Sequence, residues 1–348
     1  MRYTDVCVEA ISHVLPSRAV SSDTVEKWLK PLYDRLHLPE GRLELISGIK
    51  ERRMWKRGTR PSEVSARAGE KALKQAGLLP SQLDCLFHCS VSRDFVEPAT
   101  STTVHRLLGL PGKALNLDIS NACLGVLSGM IMLANMIQLG QAQAGVIVSG
   151  EQAQGLMDGT IEELVNDTSL TRKDIKSHFA SLTIGSAAAA VVLTHRSMSK
   201  TGRRLLGGAH LANTKYNHLC QGSAETGMSN ATHANMQTDA EQLLAHGIEL
   251  AEQTWELAKQ ELDWDNDTPD CVCCHQVGRA HREQLYEHLN LDLTKDFSTF
   301  EHLGNCGSAS LPVTTAMAVE AERLKRGDKL AMLGIGSGIN CTMLGVEW

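Results

Sequence analysis

The sequence predicts an α/β fold made of two similar halves, each a largely parallel sheet with helices on both faces. Short apolar segments alternate with helical ones along the chain, the pattern of strands buried on both sides of a parallel sheet. One helix–loop–strand unit also recurs in the two halves. A long uncharged segment, 124–140, reads as a helix buried between layers.

In the first half, residues 63–77 place Val64, Ala68, Ala72 and Ala76 on one side of a helix. A loop through Pro80 precedes an apolar strand over 83–89. In the second half, a helix over 247–262 and a loop through Pro269 precede a strand over 270–274. Both helices end near a Lys-Gln pair (Lys74-Gln75 and Lys259-Gln260), and both strands open on Asp-Cys (Asp84-Cys85 and Asp270-Cys271). The parallel continues. A strand over 113–119 enters Ser120-Asn121-Ala122-Cys123, followed by the uncharged helix and a strand over 144–149. Its counterpart runs from Thr299-Phe300-Glu301-His302 into Leu303-Gly304-Asn305, then a helix over about 312–323 and a strand over 329–333. Pro312 suits a first helical position, where its missing N–H costs nothing. The halves are expected over 1–198 and 199–348, with the apolar helices sandwiched between two sheets.

Composition excludes several classes. Of 348 residues, 42% are hydrophobic and 21% charged, enough apolar material for a large core. The net charge of −6, without a basic stripe, argues against a nucleic-acid partner. The start of the chain lacks a basic segment leading into an apolar one, so no signal peptide is expected. The run 124–140 is short for a bilayer and carries Asn135, Gln138 and three glycines, so no transmembrane segment is expected. Ten cysteines without a secretion signal point to free thiols in a reducing cytoplasm.

Three residues in these positions can carry chemistry. Cys123 starts the uncharged helix, where unpaired N–H groups and the helix dipole favour a thiolate. Its small neighbours Ala122 and Gly125 would let a substrate carbonyl approach the backbone. His275 follows the strand 270–274, at the end where parallel sheets build sites. Asn305 lies in the small-residue loop that matches the Cys123 loop in the other half. Each residue alone reads equally as structural; their meeting at equivalent ends of a duplicated core is the specific signal. Zinc is not expected from Cys271-Val272-Cys273-Cys274-His275, because Cys273 and Cys274 point to opposite strand faces and no second Cys-x-x-Cys pair exists. Gly334-Ile335-Gly336-Ser337-Gly338 lacks the helix and acidic residue of a dinucleotide loop. The polar stretch 158–177 reads as a solvated helical insertion or lid.

The stretches Ser47-Gly48-Ile49-Lys50-Glu51-Arg52-Arg53, Asp118-Ile119-Ser120-Asn121-Ala122-Cys123, His275-Gln276-Val277 and Gly304-Asn305 resemble the 3-oxoacyl-[acyl carrier protein] synthase III branch of the thiolase superfamily. The resemblance spans essentially the whole chain. Ser92-Arg93-Asp94-Phe95-Val96-Glu97-Pro98, Ala122-Cys123-Leu124 and the segment Leu333-Gly334-Ile335-Gly336-Ser337-Gly338-Ile339-Asn340-Cys341 are similar to one group within it, the enzymes joining two fatty acyl thioesters head to head in olefin biosynthesis. That resemblance implies a duplicated five-layer αβαβα fold and a homodimer. An apolar edge such as 144–149 would otherwise be exposed. It also implies Cys123 as acyl-accepting nucleophile, and His275 and Asn305 as donors to the enolate oxygen of the second substrate. The backbone N–H groups of Cys123 and Ser337 form the other oxyanion hole. Glu97 is implied as the base that removes an α-proton, reaching in from the partner subunit; residue chemistry alone favours a helix-start acid beside a first-turn proline. No tightly bound cofactor or metal is implied. The substrates are fatty acyl-CoA thioesters, with acyl carrier protein as another carrier and downstream lipid-pathway enzymes as further partners. The sequence departs from the short-chain synthase pattern at Ile46, where that pattern has an Arg gripping coenzyme A, so no coenzyme A contacts are assigned. Two other functions stay open: a decarboxylating synthase III, which needs no base, and an inactive partner subunit, disfavoured because Cys123, His275 and Asn305 are all present.

Overall fold

The computed structural model describes residues 1–222, 236–275 and 277–348. Its strands are β1 (Val6–Val14), β2 (Arg18–Ser21), β3 (Glu51–Met54), β4 (Cys85–His88), β5 (Leu115–Asp118), β6 (Ala144–Glu151), β7 (Ala187–His195), β8 (Arg204–Ala212), β9 (Cys220–Gly222), β10 (Met236–Thr238), β11 (Cys271–Cys274), β12 (Lys329–Gly336) and β13 (Asn340–Glu347). Nine of them form one hydrogen-bonded sheet in the order β11-β12-β13-β8-β1-β7-β6-β4-β5.

The order repeats. In the first block β5 and β6 lie parallel to β4, while β7 runs antiparallel to β6 and β1. In the second, β12 lies parallel to β11 and antiparallel to β13, which runs antiparallel to β8. Where the first block has β5, the second has a single parallel bridge, Val272 to Asp296. The duplication suggested by the sequence is thus written in the hydrogen bonding. The two blocks are not separate sheets, however. β1 and β8 join at one registered pair, Cys7 with Arg204, flanked by Tyr3 N–H to Leu206 O (2.9 Å) and Val8 N–H to Arg203 O (2.8 Å).

Side-chain alternation along the strands builds the layers. Cys85, Phe87 and Ile147 point inward with Cys271, Cys273, Leu330 and Met332, into a core shared with the helices Gly125–Gln138 and Ser310–Glu320. Leu86, Val146 and Val148 point outward, against helix Pro61–Ala76. Val272, Cys274, Ala331 and Leu333 do the same on the other side, against helix Ala240–Leu262. The five layers are helix, sheet block, central helices, sheet block, helix. The central helices meet apolar surface on both sides, which accounts for their lack of charge.

Several elements differ from the sequence reading. Thr299–His302, aligned with the strand before Cys123, is helical instead: Phe300–Leu303 forms one turn, and Gly304 follows at φ 66°. Pro312 is the third residue of its helix, still within the turn whose N–H groups have no intrahelical partner. Helix Ala240–Leu262 starts seven residues earlier than periodicity indicated, capped by the Asp239 carboxylate accepting from Gln242 N–H (3.1 Å). The stretch 158–177 is not simply a solvated insertion. Helix Gln154–Asn166 buries Met157 and Leu164 against Leu29 and Leu32. β6 is interior and fully buried, so it is not an edge. The exposed edge is β5, with Leu115 and Leu117 44% and 41% exposed. Among the described residues no helix is long and apolar enough to cross a membrane.

Candidate active site

Cys123, His275 and Ser337 follow the ends of β5, β11 and β12, and Asn305 precedes a central helix. Cys123 sits in a tight turn, Ala122–Leu124, that runs into helix Gly125–Gln138. Ala122 has φ 45°, a left-handed conformation that a Cβ disfavours and that is concentrated at functional sites. The turn is held by Leu124 N–H to Asn121 O (2.9 Å). The Asn121 side chain donates to Ser128 Oγ (2.9 Å) and accepts from Asn340 Nδ2 (3.2 Å). Asn340 thereby ties the Ser337 turn to the nucleophile turn. Gly336 lets them touch: a Cβ there would stand 3.1 Å from Leu124 Cγ and 3.6 Å from Cys123 N.

The Asn305 loop is fixed from the other side. Asn305 N–H donates to Thr183 O (3.1 Å), and Asn305 O accepts from Gly185 N–H (2.8 Å). Its Oδ1 accepts from Gly307 N–H (2.9 Å), which turns that oxygen into its own loop. Ser308 Oγ accepts from Val126 N–H in the helix behind Cys123 (2.9 Å). Gly125 makes this contact: a Cβ there would meet Ser308 Oγ at 2.7 Å and Cys89 O at 3.1 Å. Its smallness serves loop-to-loop packing. Gly125→Ala is therefore expected to destabilise the fold by about 1–2 kcal/mol, because overpacking against backbone outweighs the ~1 kcal/mol gain in helix propensity. Denaturant unfolding measures it.

His275 continues the β11–β12 ladder through its N–H to Leu333 O (2.8 Å). Its ring is buried, and Nδ1 has no partner among the described residues. Burial, helped by His281, pushes its pKa down to about 3, so the imidazole is neutral and can donate from one nitrogen and accept at the other. Gln276, part of the His275 motif, lies outside the described residues.

The half-buried Cys123 thiol is pushed up to about 12. Burial is the main cause, then the Glu151 carboxylate and the neighbouring Cys220; only the Cys123 backbone N–H acts the other way. Desolvation and a buried anion thus act against the thiolate that the helix start favours.

Glu97 makes no hydrogen bond or ion pair with these residues in the described chain. It lies exposed in the loop between β4 and helix Thr100–Leu108, with no hydrogen bond or ion pair among the described residues. It is not a helix-start acid either. Asp118 fills that role, accepting from Thr100 N–H (2.8 Å) and Ser101 N–H (2.7 Å). Val91, Phe95 and Val96 of the same loop are about half exposed. Sequence reasoning missed Asn340, Ser308 and Glu151; an acid closing the otherwise apolar run Val146-Ile147-Val148-Ser149-Gly150-Glu151 was the available signal for the last.

A cavity of about 760 Å³ lies between helices Ser22–Trp28, Lys30–Leu36 and Arg42–Ser47 and residues 172–182, 218–219 and 237–241. Leu29, Leu32 and Leu182 give it an apolar floor, and Arg42, Lys173 and Lys176 a basic rim. Leu219 and Thr238 carry its lining to Cys220, whose Sγ accepts from the Thr238 hydroxyl (3.5 Å). Among the described residues no group of His, Cys, Asp and Glu could hold a metal ion.

Comparison with known proteins places this geometry. Residues 49–157 match the thiolase N-terminal domain, 117–212 match 3-oxoacyl-[acyl-carrier-protein (ACP)] synthase III, and 259–348 match its C-terminal part. The acyl-CoA:acyl-CoA alkyltransferase of Shewanella oneidensis is 41% identical, covering 100% of both chains. That of Xanthomonas campestris is 33% identical, again over 100% of both. A β-ketoacyl-[acyl-carrier-protein] synthase III from Cereibacter sphaeroides is 23% identical over 98% of each. A cysteine-to-alanine form of the Xanthomonas campestris OleA superposes with a TM-score of 0.94 at 33% identity, over 100% of this chain and 98% of that one. A cysteine-to-serine form of the same protein with bound lauric acid and lauroyl-CoA gives 0.93 at 33% identity, over 99% and 100%. With a thiolase-like five-layer fold and full-length identity at this level, the chain belongs to the acyl-CoA:acyl-CoA alkyltransferases, the OleA family of condensing enzymes related to 3-oxoacyl-[acyl carrier protein] synthase III.

Proposed function

We propose that this enzyme joins two fatty acyl-CoA molecules by non-decarboxylative Claisen condensation, through an acyl-enzyme on Cys123, to give a β-ketoacyl product. The observation that carries the reading is full-length likeness to the acyl-CoA:acyl-CoA alkyltransferases in a chain that retains Cys123, His275 and Asn305. In the first step Cys123 Sγ attacks the thioester carbonyl, and its proton goes to the departing coenzyme A sulfur. The oxyanion takes hydrogen bonds from the Cys123 and Ser337 backbone N–H groups, coenzyme A leaves with a proton, and a C–S bond has replaced a C–S bond. In the second step a carboxylate takes an α-proton from the second acyl-CoA. His275 and Asn305 Nδ2 hold the enolate oxygen. The carbanion attacks the acyl-enzyme carbonyl; a C–C bond forms and the Cys123 sulfur leaves.

Glu97 of the partner subunit is the base we assign to that second step. Its exposure on a loop beside the open β5 edge fits delivery across an interface, since β5 pairing with β5 in a second copy would build a homodimer and bury Leu115 and Leu117. Solved forms of the Xanthomonas campestris OleA include replacements of a glutamate and of a cysteine at the spacing that separates Glu97 from Cys123. The cavity beside Cys220 fits an acyl-CoA, with apolar floor for the chain and basic rim for phosphates. On this reading the halves 1–198 and 199–348 supply the nucleophile and the enolate donors respectively. The enzyme works in the cytoplasm, and an acyl carrier protein can replace coenzyme A on either substrate.

Incubation with myristoyl-CoA alone tests the reaction. Mass analysis should show a β-ketoacyl lipid and release of coenzyme A without any malonyl donor. Product that forms only when malonyl thioester is added would assign the decarboxylating reaction instead.

A further inference from the structure

Glu151 ends β6 and is 5% exposed. Its Oε1 accepts from Val91 N–H (2.9 Å) and Ser308 N–H (3.1 Å), and its Oε2 from Ser92 N–H (3.0 Å). Burial pushes the Glu151 carboxyl up, while these three N–H donors and the Ser92 side chain favour its ionised form. They come from two separate segments. Val91 and Ser92 open the loop that carries Glu97, and Ser308 lies three residues after Asn305. Ser308 in turn receives Val126 N–H on its Oγ (2.9 Å). One buried anion therefore links the Glu97 loop and the Asn305 loop, and through Ser308 it is tied to the helix that presents Cys123. The fit is close: Gly307 has φ 54°, and a Cβ there would stand 3.1 Å from Oε1.

The same charge lies near two thiols, Cys123 and Cys306, and disfavours ionisation of both. For a nucleophile that is a disadvantage. A buried carboxylate that slows formation of the thiolate has its use in another step.

We propose that Glu151 is a positioning residue for carbon–carbon bond formation, holding the Asn305 loop and the Glu97 loop in register with the Cys123 helix. The assignment of Asn305 and Glu97 to that step rests on the reading under Proposed function. Glu151 touches no reacting atom; it acts through backbone N–H groups of both loops.

Glu151→Gln separates the two effects. The amide keeps the shape but turns an NH2 toward N–H donors, so at least one tie is lost. Condensation of pre-formed acyl-enzyme with a second myristoyl-CoA should fall about 100-fold, the usual consequence of displacing groups that orient a reaction. Alkylation of Cys123 by iodoacetamide at pH 8 should instead rise about tenfold, as loss of a nearby anion lowers a thiol pKa by roughly one unit. The groups whose charge reaches this thiol are Glu151 and Cys220, so peptide mass spectrometry must count Cys220 alkylation separately. A merely structural role predicts that both readouts fall together with melting temperature. Condensation within twofold of wild type overturns the proposal. Should Glu151→Gln not fold, Ser308→Ala keeps the carboxylate and cuts the tie to Val126. It should lower condensation about tenfold and leave the alkylation profile unchanged; unchanged condensation is again an overturning result. If wild-type enzyme condenses only with a malonyl donor, the functional reading fails. The inference then stands or falls on whether Glu151→Gln slows that malonyl-dependent reaction.

Discussion

Cys123→Ala is expected to lose the acyl-enzyme and to lower condensation by roughly four to six powers of ten, the scale at which removal of a nucleophile operates. Intact-protein mass spectrometry after exposure to myristoyl-CoA should show one acyl adduct per wild-type chain and none in the variant. The thiol is half-buried at the end of a turn held by Asn121, Ser128 and Asn340, none of which bonds the sulfur. Melting temperature should therefore stay close to wild type, and loss of activity cannot be attributed to unfolding. An adduct that persists in Cys123→Ala would move the nucleophile elsewhere, with Cys220 the first residue to examine because its charge reaches the same thiol.

Glu97→Gln has the second largest expected effect. Acylation uses the thiol and the backbone donors and should survive. Condensation should fall by roughly two to four powers of ten, the contribution of a positioned general base, and acyl-enzyme should accumulate. Because Glu97 stands exposed in its own chain and is proposed to act on its partner, mixing provides the sharper measurement. In a dimer of one Cys123→Ala chain and one Glu97→Gln chain, the first lends its Glu97 to the intact Cys123 of the second. Random re-association of two individually inactive variants should restore about a quarter of wild-type activity, from one working site in half of the dimers. A base acting within its own chain gives no recovery, and wild-type rates in Glu97→Gln alone would remove it from the mechanism.

Much of this site was legible in the sequence because strand–helix alternation fixes where loops gather. Cys123, His275 and Asn305 could be placed at loop ends of two halves without coordinates, and the strand pairing repeats between those halves. What stayed hidden depends on groups that every residue shares. Glu151 binds three backbone N–H groups from distant segments, and no side-chain pattern marks a backbone donor. The protonation of Cys123 depends on burial and on a carboxylate twenty-eight positions away in the chain, neither of which a local helix-start rule contains. The edge was misplaced for a similar reason. β6 is the more apolar strand, but it lies between β4 and β7, and the half-polar β5 (Leu-Asn-Leu-Asp) is left outside. Thr299–His302 became helical because its half reduces the matching strand to one bridge, at Asp296.

That reduced strand sets the valence of the molecule in self-association. At the far end of the sheet β11 is fully buried. Beyond it, Phe297 N–H takes the Val272 carbonyl (3.1 Å), and the Asp296 carboxylate is held by the Tyr286 hydroxyl (2.6 Å) and by Arg282. This end offers no ladder to another chain. β5 at the opposite end is open. A body with two sticky ends can polymerise without limit, whereas a body with one can only pair and stop. If the proposed homodimer forms through β5, the pair leaves no second open edge among the described residues, and filaments built by sheet extension have no end to grow from.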